Sequence, residues 1–438
     1  MRTILQKWIN LILNHPKWVI VFTVFITVLM TSFATRLKMN FSIEELFALN
    51  DPNVEKYFDF LEEFDREDNL ILLMYECDDP FSYDNLIRNK LLIEKFETIK
   101  GIKKVTGLSN LEIFTDGEDE LLRSVYPYIP QSKDSLLVAK QRISLSEFVQ
   151  ETLISRDEKL ASIAIELDES FNNHDMREKI IEDIDYFQNS VNWTWHQSGI
   201  PVLRTRYVQL MVSDTIRFLI PVAIMIVVLF TVVFRSWLAL LVPMSIIIMI
   251  VIWTVGLMVM LNIDFNIMTY IIPTLLFIIG IGDSIHFLVK YFGTLSEVKN
   301  KKKALSQTLE KIGTAIFLTS LTTSIGFASL IRSNIDIVRQ FGIMTAAGVM
   351  FAFILTVTYL PAMIMLFKQT PITKLKSYSL GFRINILKGF IKAVRLYPKP
   401  IIIFTIFFAL FSVFGASKIN SHNSLMDDLK PGTKLYDD

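Results

Sequence analysis

Asp283 and His286 lie in an otherwise apolar run, "FIIGIGDSIHFLVKYF" at 277–292. One helical turn separates them, so they share a face, and Lys290 continues that face. An aspartate at the centre of a membrane helix costs roughly 2.5–3.5 kcal/mol on insertion scales. Protonation reduces that cost, because burial disfavours the charged form. A carboxyl that is charged when wet and neutral when buried is what a proton relay requires. Asp283 and His286 are the candidate relay. The alternative for Asp283 is an acid hydrogen-bonded between helices merely to fix packing, and His286 has an equally ordinary alternative. Gly280, Gly282 and Ser284 beside them are small enough to let another helix approach closely.

A second polar stripe lies at 313–330, "GTAIFLTSLTTSIGFASL", with Thr319, Thr322, Thr323 and Gly326 at helical spacing. These hydroxyls could solvate a proton path or partner Asp283. They could equally hold helices together, or bond the carbonyl four residues back. Other chemistry finds little support. The chain carries no Walker loop, GxGxxG or zinc-type Cys/His cluster, and a lone Cys77 allows no intrachain disulfide. No nucleophile–base constellation is evident, and His174 and His196 are isolated. The expectation is a protein that is not an enzyme, with no metal, no cofactor and no nucleic-acid partner.

The elements that must position Asp283 are membrane spans. The 438 residues are 52% hydrophobic and include 34 Phe, too apolar for an ordinary soluble protein. Runs long enough to cross about 30 Å of hydrocarbon fall near 18–34, 217–234, 237–261, 266–289, 312–331, 340–367 and 400–416. Across all seven, Asp283 is the one formally charged residue well inside a span. The first run could be a signal peptide, since Lys7 and Lys17 precede its apolar core. The run at 400–416 resembles it closely and cannot be an N-terminal signal.

Loop charge sets the orientation. Residues 368–399 hold eight Lys or Arg and no acid, and residues 290–311 hold six Lys against Glu297 and Glu310. Both segments are expected in the cytoplasm, with the N-terminus. Residues 36–216 are then outside, and the balance agrees: they hold 35 of the 44 acidic residues but 20 of the 44 basic ones, a net of −15. Within that region, β-rich runs at 69–76 and 161–167 alternate with helical patterns, clearest at 82–99 and 174–189. That alternation predicts an α/β sandwich.

An internal repeat is visible as well. "HPKWVIVFTVF" at 15–25 recurs as "YPKPIIIFTIF" at 397–407, and residues 15–42 match 397–424 at eight positions, among them Pro16/Pro398, Lys17/Lys399 and Thr23/Thr405. "IEEL" at 43–46 recurs as "MDDL" at 426–429. A second copy of span plus external domain is thus expected to begin near the C-terminus, as in a fragment or the front of a split protein. The expected layout is a cytoplasmic N-terminus with the first span (1–35) and an extracytoplasmic α/β domain (36–216). Spans two to six (217–368), a basic cytoplasmic linker (369–399), a seventh span (400–416) and a truncated second external domain (417–438) follow.

Three motifs carry a family resemblance: "GIGDSIHFLVKYF" on the fourth span, "LTSLTTSIGFASL" on the fifth, and "VRQFGIMTAAGVMFAFILTVTYLPAMIMLF" (338–367) on the sixth. With "NFSIEELFALNDPNVEKYFDFLEEFDREDNLIL" after the first span, they resemble the resistance-nodulation-division (RND) transporters. The nearest branch is that of MMPL, Patched-like and hopanoid lipid exporters. The resemblance implies an α-helical polytopic membrane protein built on a six-helix repeat plus a seventh helix, with an inserted α/β, ferredoxin-like porter domain. It implies proton-motive-force-driven export of hydrophobic or amphiphilic, lipid-like cargo from a bacterial inner membrane. Its partners would be membrane lipids, the cargo, and a missing second half or second subunit; an outer-membrane channel is not implied.

Asp283 matches the second of two adjacent acids in drug-efflux members, and Gly282 stands where the first would be. Mycobacterial lipid exporters place an Asp-Tyr pair there, with Tyr at the position of Asp283. The single acid leaves coupling ion and stoichiometry open. A Patched-like sterol-sensing receptor and a Sec translocon accessory subunit share the six-helix plan and remain alternatives.

Overall fold

The protein is described by a computed structural model that covers residues 2–40, 69–114, 122–144, 153–155, 157–171, 173–234, 236–367 and 391–418, with isolated positions at 52, 54, 56, 59, 60 and 389. The "IEEL" and "MDDL" segments, most of the stretch after the first span, and most of the basic linker lie outside the described residues.

Among the described residues, seven helices are long and apolar enough to cross a membrane. The first two helices of the chain are α1 (Arg2–Asn14) and α2 (Pro16–Ala34). α1 is an amphipathic helix that the apolar runs do not reveal. Ile9, Ile12 and Leu13 are buried, while Gln6, Lys7 and Asn10 are exposed.

The α/β unit follows. β1 (Leu70–Glu76) buries Ile71, Leu73 and Tyr75 in strict alternation. α3 (Tyr83–Glu97) starts at Ser82, whose side chain accepts from Asn85 N, and buries Leu86, Leu92, Ile93 and Phe96. Then come β2 (Ile102–Thr106), a hairpin of β3 (Glu112–Phe114) and β4 (Leu122–Ser124), α4 (Lys133–Ser144) and β5 (Leu160–Leu167). α5 (His174–Gln188) is capped by Asn173, and β6 (Thr194–Ser198) closes the unit. The main sheet has the order β2-β5-β1-β6 with every neighbour antiparallel. β1-α3-β2 and β5-α5-β6 are therefore two interleaved strand–helix–strand units, the split β-α-β arrangement. The helices cover one face, where a single apolar core unites both with the sheet.

Polar groups inside that core are paired. Asn89 donates to Tyr75 Oη at 3.1 Å and accepts from Ser109 N at 3.1 Å and Ser109 Oγ at 2.8 Å. Tyr75 stacks on Trp193 at 4.1 Å. Burial pushes the Cys77 thiol up to about 11, with Asp79 and Asp78 adding to it, so the thiol stays protonated and unreactive near neutral pH.

β6 passes through Gly199 directly into α6 (Ile200–Phe234), 35 residues long. The apolar run at 217–234 is the second half of this helix, so no loop separates the α/β unit from the second span. Val202 sits in the α/β core, Val208 and Met211 in a small cluster with Met39, Ile267 and Tyr270, and Ile226, Phe230 and Phe234 in the membrane core. Arg206 on α6 pairs with Asp185 on α5 at 2.9 Å, and Gln209 donates to Glu178 at 3.1 Å. Pro221 interrupts the ladder between the two ends, because it cannot bond Arg217 O.

The bundle continues with α7 (Trp237–Met260), α8 (Ile272–Val298), α9 (Lys301–Ala328) and α10 (Asp336–Leu366). α7, α8 and α10 are its most enclosed members. α2 lies so close to α7 that a Cβ on Gly256 would stand 2.7 Å from Met30 O, and Trp253 Nε1 donates to Thr27 Oγ1 at 3.0 Å. At one end of the bundle, the chain leaving α2 pairs with the α7–α8 link, Phe265 N to Lys38 O at 2.9 Å and Asn40 N to Phe265 O at 3.0 Å. Burial raises the Asp264 carboxyl in that link above the usual range, and nearby Lys38 opposes the shift. The seventh apolar helix, α11 (Pro398–Ala416), is exposed along its whole length.

Candidate functional site

α8 begins with Pro273 in its first turn and runs unbroken past Asp283. Its inward face, Leu276, Phe277, Gly280, Ile281, Ser284, Phe287 and Leu288, recurs every three or four residues and packs against α7, α9 and α10. Gly280 permits the approach to α7: a Cβ there would lie 2.8 Å from Ile250 Cδ1. Asp283 sits at the edge of this face, half-buried. Ser320 on α9, 4% exposed, donates its hydroxyl to Asp283 Oδ2 at 3.2 Å.

Other hydroxyls collect near by in the sequence of these helices. Ser284 Oγ and Thr345 Oγ1 are wholly buried with no hydrogen-bond partner among the described residues. Ser324 on α9 donates to Ala346 O on α10 at 3.1 Å. Buried hydroxyls without partners are costly in an apolar interior.

His286 is exposed on the outer side of α8, within electrostatic range of Asp283 but joined to it by no hydrogen bond. Gly282 and Lys290 share that outer side: a Cβ on Gly282 would meet nothing within 4 Å. Thr319, Thr322 and Thr323 are exposed on α9. Thr319 bonds Ala315 O and Ile316 O, and Thr322 bonds Leu318 O and Thr319 O. Among the described residues no hydrogen bond joins these three threonines to Asp283. Ser320 is the α9 hydroxyl that does bond it, and the helical spacing of the stripe contained no signal to prefer Ser320. No group of three or more His, Cys, Asp or Glu that could hold a metal occurs among the described residues.

The hydroxyl that donates to Asp283 implies a measurable effect. Ser320→Ala removes the one side-chain hydrogen bond that Asp283 accepts among the described residues, and any activity that runs through Asp283 is expected to fall several-fold with its pH profile displaced. Thr322→Ala, which loses bonds to carbonyls of its own helix alone, is expected to stay within twofold of the parent. Equal effects from the two substitutions, measured in the same assay, would contradict the geometry.

Seven helices long and apolar enough to cross a membrane among the described residues, with an α/β unit between the first two, define a multi-pass membrane protein. Residues 111–381 match the MMPL family, more than half of the chain, and the chain belongs to that family of RND-type transporters. A protein of Methanocaldococcus jannaschii, named only as a membrane protein, is 21% identical over 376 residues, which cover 84% of this chain and 94% of the relative.

Proposed function

We propose that the protein couples proton movement through Asp283 to export of hydrophobic or amphiphilic, lipid-like cargo across or out of the cytoplasmic membrane. The observation that carries this reading is the half-buried Asp283, bonded by Ser320 from the neighbouring span, in a chain of the MMPL family. A carboxyl held between helices by a neutral donor can exist in both protonation states without an ion-pair partner to lock it. The α/β unit serves as the porter domain on the outer side, and the lysine-rich α8–α9 turn faces the cytoplasm. His286 extends the relay towards that side, its exposed ring meeting a second half or second subunit of the same plan. α11, exposed throughout, is the first helix of that second repeat.

The test is a proteoliposome assay on the complete protein, with a fluorescent lipid analogue and an imposed proton gradient. Outward cargo movement is expected when the gradient is present and to stop on adding a protonophore. Tight lipid binding that ignores the gradient would instead mark a lipid-sensing receptor, and the exporter reading would fall.

A further inference from the structure

The turn between α8 and α9 puts several lysines at one corner of the bundle, and the fold uses some of them and not others. Lys299 ends α8 in the left-handed region, φ +56°, and Asn300 caps α9 by accepting from Lys303 N at 3.0 Å. Lys301 Nζ donates to Met365 O at 3.1 Å and Phe367 O at 2.5 Å, which ties down the end of α10. Lys302 Nζ donates to Asn14 Oδ1 at 2.6 Å, which ties the turn to the corner between α1 and α2. Both ammonium groups are spent on protein oxygens.

Lys299 and Lys303, on either side of them, are exposed and have no side-chain partner among the described residues. The same holds for Lys17, three residues beyond Asn14, and for Lys7, two turns before it on α1. The one acid of the turn is the exposed Glu297. Beside these cations stand two exposed apolar side chains, Trp18 at 73% and Leu11 at 58%. α1 is held at this level by Ile9 and Leu13, which belong to the bundle core. Unspent lysines next to an exposed indole, at the end of membrane spans, match a lipid interface: acidic headgroups for the ammonium groups and the headgroup boundary for the ring.

We propose that Lys17, Lys299 and Lys303, with Lys7 at the margin, form a headgroup site for an anionic phospholipid at the corner of α1, α2 and the α8–α9 turn. The site does not depend on Asp283 or on cargo export. A bound phosphodiester would bridge the start of α2 to the α8–α9 turn, as Lys302 bridges the same elements from the protein side.

Native mass spectrometry of the full chain with phosphatidylglycerol and phosphatidylcholine tests this directly. Phosphatidylglycerol is expected to bind more tightly, with affinity falling as salt rises. Each Lys→Gln change is expected to weaken it roughly fivefold, and Lys17→Gln, Lys299→Gln and Lys303→Gln together on the order of a hundredfold. The corresponding triple Arg variant should bind within a few-fold of the parent. A charge control, Lys90→Gln, Lys133→Gln and Lys179→Gln in the α/β unit, should bind as the parent does. Should the triple Gln variant fail to fold, the three single variants carry the test through their fivefold losses. Unchanged binding in the Gln variants, an equal loss in the charge control, or equal protection by inorganic phosphate or soluble glycerophosphate would overturn the proposal.

Discussion

Asp283→Asn is expected to give a folded, membrane-inserted protein that no longer couples transport to a proton gradient. The amide keeps the size of the carboxyl and can still accept from Ser320. It cannot gain or lose a proton, so any step that needs the group to alternate between states is removed. Positioned proton-transfer groups typically contribute about 10²–10⁴-fold, so the loss of gradient-driven cargo movement is expected to exceed about a hundredfold. Stability should be unchanged or slightly improved, because a neutral amide costs less in the membrane than a carboxylate. The pair of measurements is cargo flux in proteoliposomes and thermal unfolding of the same preparation. Full flux with retained gradient dependence would remove Asp283 from the mechanism, while lost flux with a collapsed unfolding transition would reveal a packing role. His286→Gln is the informative companion, since the ring is exposed and its loss leaves the interior of α8 intact.

The largest structural effect is expected from Gly199→Ala. Gly199 has φ +113°, a conformation that L side chains rarely adopt, and a Cβ there would stand 2.3 Å from Leu70 O. The obstacle is a backbone oxygen of β1, a strand hydrogen-bonded on both sides, so it cannot move aside cheaply. Strained backbone of this kind costs about 1–3 kcal/mol before any clash is added, and the total is expected near 3 kcal/mol. Limited proteolysis should show the α/β unit opening first. Gly282→Ala makes the comparison sharp, because the same methyl group there meets nothing within 4 Å. Similar unfolding temperatures for the two variants would contradict this account.

Much of this architecture is legible in the residues, for a physical reason. A span needs about 20 apolar residues in a row, so each of the seven helices announces itself by length alone. β1 and β5 are legible as short β-branched and aromatic runs, and α3 and α5 as helical patterns between turn residues. What escapes is whatever depends on rotation or on neighbours distant in sequence. α1 has too few apolar residues for a span, and its buried stripe has meaning only against α9 and α10. α6 starts 17 residues before its apolar run, because its first half is stabilised by the α/β unit and its joint, Arg206 to Asp185 included. In the same way Thr319, Thr322 and Thr323 mark a polar face of α9 without stating which way α9 is turned. Ser320, one residue from Thr319 and about 100° around the helix, is the one that meets Asp283. Strand order is likewise a property of pairing: β5 lies between β1 and β2 although it follows them both.

The unbroken passage from β6 into α6 has a mechanical consequence. From Ile200 to Pro221 the helix is about 31 Å long at 1.5 Å per residue, braced against α5 at its outer end. Such a rod works as a lever with its fulcrum at the missing hydrogen bond. A tilt of about 5° at Pro221 would sweep the end of β6 through about 3 Å, on rise-per-residue geometry alone. The arm on the other side, from Pro221 to Phe234, is about 20 Å long, so a shift of its end among the packed spans would arrive at the sheet enlarged by roughly half. The gain of that lever is fixed by where the proline stands along the rod.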